Sequence, residues 1–159
     1  MTARKANWRT PVAALTGAML FSGAAFAANP EGLWVSEDGA AKVQIVNCGG
    51  KLCGTVVWLK NPIDPSTGAP KTDKKNPDAA KKTRPLVGLT VLHGLTRNGP
   101  DSWAGEIYNA DDGRTYAARL QMPGPSYAKV DGCVLVFCKR HIWTRADQVG
   151  VQQAQARAN

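Results

Sequence analysis

"AKVQIVNCGGKLCGTVVWL", Ala41 to Leu59, is the stretch on which the fold turns. Its first half alternates apolar and polar residues into Cys48, and its second half alternates away from Cys53. This is the period of two that a strand with one buried face requires. "GGK" supplies a turn between the halves, so the stretch predicts a β-hairpin. Four residues separate the cysteines, which sets them opposite one another across the hairpin within the Cα separation that a disulfide tolerates. A thioredoxin-type couple requires C-x-x-C, and a zinc knuckle normally requires C-x2-C; neither spacing is present and no histidine lies near Cys48. The pair therefore reads as a staple that clamps the hairpin's register, worth about 2 kcal/mol for so short a loop.

The same alternation recurs outward along the chain. Short runs rich in Val, Ile, Tyr and Trp lie at about 32–36, 42–48, 53–59, 86–92, 103–109, 115–122, 127–133 and 138–145, with turn signals between them. Eight such runs with almost no helical periodicity predict an antiparallel barrel or sandwich. Asp112-Gly113 marks the turn between the fifth and sixth runs, and "TRNGPDS" marks one before Trp103. Cys133 and Cys138 repeat the spacing of the first pair around "VLVF", a poor turn sequence. Local pairing is favoured over crossed pairs, because the clamp at Cys48 and Cys53 leaves these two only each other. The apolar four then form a stapled loop, expected to be a buried turn rather than a docking surface.

One connection is long. Lys60 to Pro85 contains five prolines, which forbid a central strand. Within it Asn76 is the expected N-cap of one or two helical turns, with Pro77 at the first position and Asp78 near the positive end. The segment is either a solvated excursion or a lid over one end of the barrel. Asp64, Asp73 and Asp78 do not have the spacing of an ordered calcium loop, so neither metal nor cofactor is implied.

The N-terminus supplies the compartment. Arg4, Lys5 and Arg9 precede an apolar run from Pro11 to Phe26 that ends in Ala25-Phe26-Ala27. That is the layout of a secretory signal peptide cleaved after Ala27, with Gly17, Ser22 and Gly23 arguing against a membrane span. No cysteine follows to suggest a lipoprotein, and no later apolar stretch could cross a bilayer. The expected organisation is a leader over 1–27, one domain over 28–145 and a disordered tail over 146–159. A periplasmic location makes an even cysteine count a disulfide signal. Of 20 Lys+Arg, three lie in the leader and none of the 12 Asp+Glu do, so the remainder carries 17 minus 12, or +5. Such a charge suits an anionic phospholipid, lipopolysaccharide or cell-wall polymer. Nucleic acid is not expected, because the lysines are scattered through one loop without interleaved aromatics.

"EGLWVSEDG" opens the first strand with Gly32-Leu33-Trp34, and "HIWTR" closes the last with Arg145. An early G-x-W with a late basic residue resembles the calycin superfamily, the lipocalins and fatty-acid-binding proteins. The resemblance implies that Trp34 plugs the closed end of an up-and-down barrel with Arg145 over its ring, an indole capped by a cation. The succession from "GLWVSEDG" through "NCGGKLCGTVVWLKNPIDPSTGAP", "RPLVGLTVLHGL" and "WAGEIYNADDGRTY" to "WTR" also resembles domain-of-unknown-function family 2147, small exported β-rich bacterial proteins. It covers residues 31 to 145 and implies compartment and fold rather than mechanism.

The expected fold is therefore all-β: an eight-stranded antiparallel up-and-down barrel, lipocalin-like, with one long loop carrying a short helix. Alternation places Val43, Ile45, Val56, Trp58, Val91, Trp103, Tyr116 and Leu120 inside it, as the lining of a cavity for a small apolar or amphipathic ligand. His141 shares a face with Trp143 and Arg145, so it points inward if Arg145 closes the barrel, as a structural histidine or a ligand contact. Only His93 and His141 are available as bases, Glu106 is the one acid within a strand and reads as exposed, and no nucleophile elbow, H-E-x-x-H or phosphate loop occurs. A non-catalytic binding protein is expected. The alternative is an envelope-surface module with a packed core, which would bind anionic lipid, cell-wall polymer or protein through its basic long loop.

Overall fold

The computed structural model describes residues 28–147. The expected leader, and all but the first two residues of the expected tail, lie outside this range. Eight strands follow in order: β1 (Gly32–Val35), β2 (Ala41–Cys48), β3 (Lys51–Leu59), β4 (Thr90–Gly99), β5 (Ser102–Asn109), β6 (Arg114–Gln121), β7 (Tyr127–Val134) and β8 (Phe137–Arg145). Each pairs antiparallel with the next, and β8 returns to β1 through Trp34↔Arg145 and Val35↔Thr144, which closes the barrel. Closure leaves no open sheet edge among the described residues. Every connection except β3–β4 is short, as an up-and-down order allows.

The hairpin of β2 and β3 forms as expected, but its turn is tighter. Cys48 faces Lys51 across a two-residue Gly49-Gly50 turn, while Cys53 faces Val46. The bonded cysteines are thus diagonal rather than opposite, 5.9 Å apart at Cα. Cys133 and Cys138 do face each other directly, with Cα atoms 4.0 Å apart, and are bonded. Both pairings are local.

Three readings are corrected. The fourth strand begins at Thr90 and runs to Gly99 rather than spanning 86–92, so "TRNG" is strand and the turn falls on Pro100-Asp101. Leu86 instead bonds back to Lys71 within the long connection. The short helix there is a single 3-10 turn, Ala79–Lys81, whose N-cap is Asp78 rather than Asn76. Asn76 accepts the Asp78 amide and turns its amide group inward. Finally, the "VLVF" tip is exposed, not buried.

The core fills one end of the barrel. Trp34, Ile45, Leu92, Leu95, Leu120 and Val130 are almost fully buried there. The first described residues cross beneath them: the Trp34 indole donates to Pro30 O at 2.8 Å, and the Ala28 amide donates to Asp101. The Arg145 guanidinium lies 4.5 Å from the Trp34 ring centre. It donates to Pro125 O at 2.7 Å, to Glu31 O at 2.9 Å and to Asn29 O. Gly32 gives the G-x-W signature its glycine for two reasons: φ is +133°, and a Cβ there would meet Arg145 Nη1 at 2.6 Å. Arg97 repeats the device 5.2 Å over Trp103.

Candidate functional site

The other end of the barrel is open and hollow. A cavity of about 1060 Å³ lies between the β1–β2, β5–β6 and β7–β8 turns and the long connection. Its floor is apolar, with Val43, Val56, Leu59, Ile107 and Trp143; its rim is polar, with Glu37, Asp38, Asp111, Asp112, Lys71 and Lys139. An apolar floor under a charged rim suits an amphipathic molecule held tail-first.

Five of the nine expected lining residues are at this cavity: Val43, Val56, Val91, Tyr116 and His141. His141 pairs with inward Val130 on the neighbouring strand, and its Nδ1 lies 3.6 Å from Glu37. The Tyr116 hydroxyl donates to Asp112 at 2.5 Å, and that bond pushes the phenol pKa up and the carboxyl pKa down. Ile45, Trp103 and Leu120 do not line the cavity. They face inward at the closed end, where they pack in the same cluster as Trp34.

Trp58 is misplaced by alternation. β2 and β3 pair Val43↔Val56 but Lys42↔Trp58, so Val57 is an extra residue, a β-bulge that reverses the phase beyond it. Trp58 therefore lies on the outer face, 41% exposed, with Lys42 Nζ 4.9 Å from its ring. Leu59 takes the inward position instead. Ile107 and Trp143 were legible by alternation with Trp103 and His141. Leu59, and Leu89 of the long connection, which also lines the cavity, carried no such signal.

The long connection is largely exposed but is clamped to the barrel wall at Asp73 and Asn76. Asp73 is fully buried, and its carboxylate accepts from the Tyr108 hydroxyl at 2.7 Å, Asn76 Nδ2 at 2.8 Å and Arg84 Nε at 2.9 Å. Burial disfavours the Asp73 charge, but these donors outweigh it and hold the carboxyl below the ordinary range. Burial and the Asp73 bond push the Tyr108 phenol up. At the same place a Cβ on Gly113 would lie 1.9 Å from Lys75 O, and its φ is +73°. The turn glycine thus doubles as the seat for the loop. Neither composition nor alternation signals this cluster.

His93 and Glu106 face each other across β4 and β5 on the outer wall, both exposed, while His141 points into the barrel. The two histidines lie on opposite faces of the sheet and share no cleft. No cluster of three or more His, Cys, Asp or Glu suited to a metal occurs among the described residues.

A closed eight-stranded antiparallel barrel, plugged at one end by a tryptophan under an arginine and hollow at the other, is a lipocalin-like fold. The chain belongs to the bacterial family described as uncharacterised proteins conserved in bacteria, domain-of-unknown-function family 2147, whose model matches residues 32–145. A solved structure, protein HP1028 from the human pathogen Helicobacter pylori, described as belonging to the lipocalin family, superposes with a TM-score of 0.65 at 20% identity. The match covers 80% of this chain and 90% of that one. At such identity the likeness concerns the fold. No curated protein matches the sequence.

Proposed function

We propose that the protein is an exported, non-catalytic carrier that holds a small apolar or amphipathic molecule in the open half of its barrel. The observation that carries this reading is the division of the interior: one end is packed solid, and the other leaves about 1060 Å³ over an apolar floor. A pocket of that size exceeds what one small ligand needs. Export to the periplasm rests on the charged, apolar and small-residue layout of residues 1–27.

Native mass spectrometry of protein purified from the periplasm should show a bound small molecule. Displacement of a fluorescent fatty acid should report the same site in vitro. Val56→Trp fills the cavity floor and should weaken probe binding about tenfold or more. Trp58→Ala, on the outer face, should leave it unchanged. A clean apo mass together with no probe binding would overturn the carrier reading.

A further inference from the structure

The β7–β8 hairpin extends past the cavity: Val134 and Phe137 lie at its mouth, while Leu135 and Val136 do not line it. Val134, Leu135, Val136 and Phe137 are 55%, 92%, 85% and 78% exposed, so most of a hairpin tip is apolar and in solvent. The Cys133–Cys138 bond closes directly beneath it. Leu135 holds a left-handed backbone, φ 54°, which a branched apolar residue rarely adopts.

The neighbourhood indicates the chemistry of the partner. A pocket of about 780 Å³ on the outer wall opens beside Cys133 and Val134, lined by Lys81, Arg84, Arg114 and His93, with Asp78 the only acid in its wall. Lys81 lies 3.1 Å from Asp78, and Arg84 is bonded to buried Asp73. Arg114, the third cation of the pocket wall, has no ion-pair partner among the described residues. The pocket is therefore net cationic. A four-residue convex tip falls short of a stable protein interface, which takes about 800 Å² from each partner. A bilayer needs no matching groove, accepts apolar side chains and presents phosphates to cations at its surface.

We propose that the open end of the barrel docks on an anionic phospholipid surface. Leu135, Val136 and Phe137 enter the acyl region, and the pocket of Lys81, Arg84 and Arg114 takes a headgroup phosphate. Docking of this kind brings the cavity mouth to the membrane but does not depend on the cavity holding a ligand.

Flotation of the mature chain, both disulfides formed, with vesicles of phosphatidylcholine alone or mixed with phosphatidylglycerol tests the proposal. Binding should appear with the mixed vesicles and weaken with salt. Leu135→Ser combined with Val136→Ser, neither of which lines the cavity, should lower the partition about tenfold, with an unchanged thermal midpoint because neither side chain is in the core. Arg114→Glu should reduce the preference for phosphatidylglycerol, and Val136→Trp should gain blue-shifted emission on vesicles. Val56→Trp, which blocks the cavity, should float as the parent does, so failure of docking and failure of the carrier reading are separable. No flotation with mixed vesicles, or a double variant that floats like the parent, would overturn docking. A lipid-free dimer that the double variant dissociates would assign the tip to a second copy of the chain instead.

Discussion

Arg145 concentrates more of the closed end's chemistry than any other side chain. It lies over Trp34, reaches three backbone carbonyls on two crossing segments, and sits at the register pair that closes the barrel. A cation over an indole contributes about 0.5–2 kcal/mol, and charge-assisted hydrogen bonds exceed neutral ones. Arg145→Met keeps the apolar stem but loses the planar fork, and should lower unfolding free energy by about 2–3 kcal/mol in urea. Arg145→Lys should not restore it, because an ammonium cannot reach the same three acceptors while stacked. An unchanged urea midpoint for both variants would remove Arg145 from the closure. Trp34, Gly32 and Arg145 were legible through the calycin resemblance of an early G-x-W with a late basic residue, and an indole under a guanidinium suits a closed barrel end. Trp58 was not, because its orientation depends on a bulge that alternation does not reveal.

At the scale of elements, the long connection shows the same limit. Its prolines and cap residues were legible, but the cluster of Asp73, Asn76, Arg84 and Tyr108 joins a loop to a strand more than thirty residues away. Partners so distant come together only when the sheet has closed. The cluster also predicts a pH dependence. The folded-state pKa of Asp73 is depressed, so its ionised form stabilises the fold above the unfolded carboxylate pKa of about 3.9. That contribution is lost as pH falls below this value and passes through the folded pKa. Asp131, lowered by hydrogen bonds from Arg140, acts in the same direction. Stability should therefore be flat near neutrality and fall below about pH 4, and Asp73→Asn should flatten the acid limb. Thermal midpoints of parent and variant from pH 2 to 7 would check this, and superimposable acid limbs would refute it.

Across the whole molecule the two ends of the barrel differ in kind. Trp34, Ile45, Leu92, Leu120 and Val130 pack tightly at one end, while the other is hollow beneath its loops. Opening should follow that gradient, because regions with few buried contacts unfold locally at lower cost. Hydrogen exchange should be slowest at the amides of Ile45, Leu92, Leu120 and Val130. It should be faster for Leu59, Asn109 and Val134 around the mouth; uniform protection from end to end would contradict the division. Eight strands, an all-β fold and the Cys48–Cys53 staple were legible in the sequence, because alternation, turn residues and cysteine spacing act over a few residues; the plug was legible only through the calycin resemblance, and the Cys133–Cys138 pairing was favoured without being fixed. The folded barrel decided which inward side chains pack the closed end and which face the cavity. It also decided that Trp58 faces out, that the "VLVF" tip stands in solvent, and that Asp73 is buried under the loop. Those outcomes depend on bulges, closure and contacts between distant segments, which no local pattern encodes.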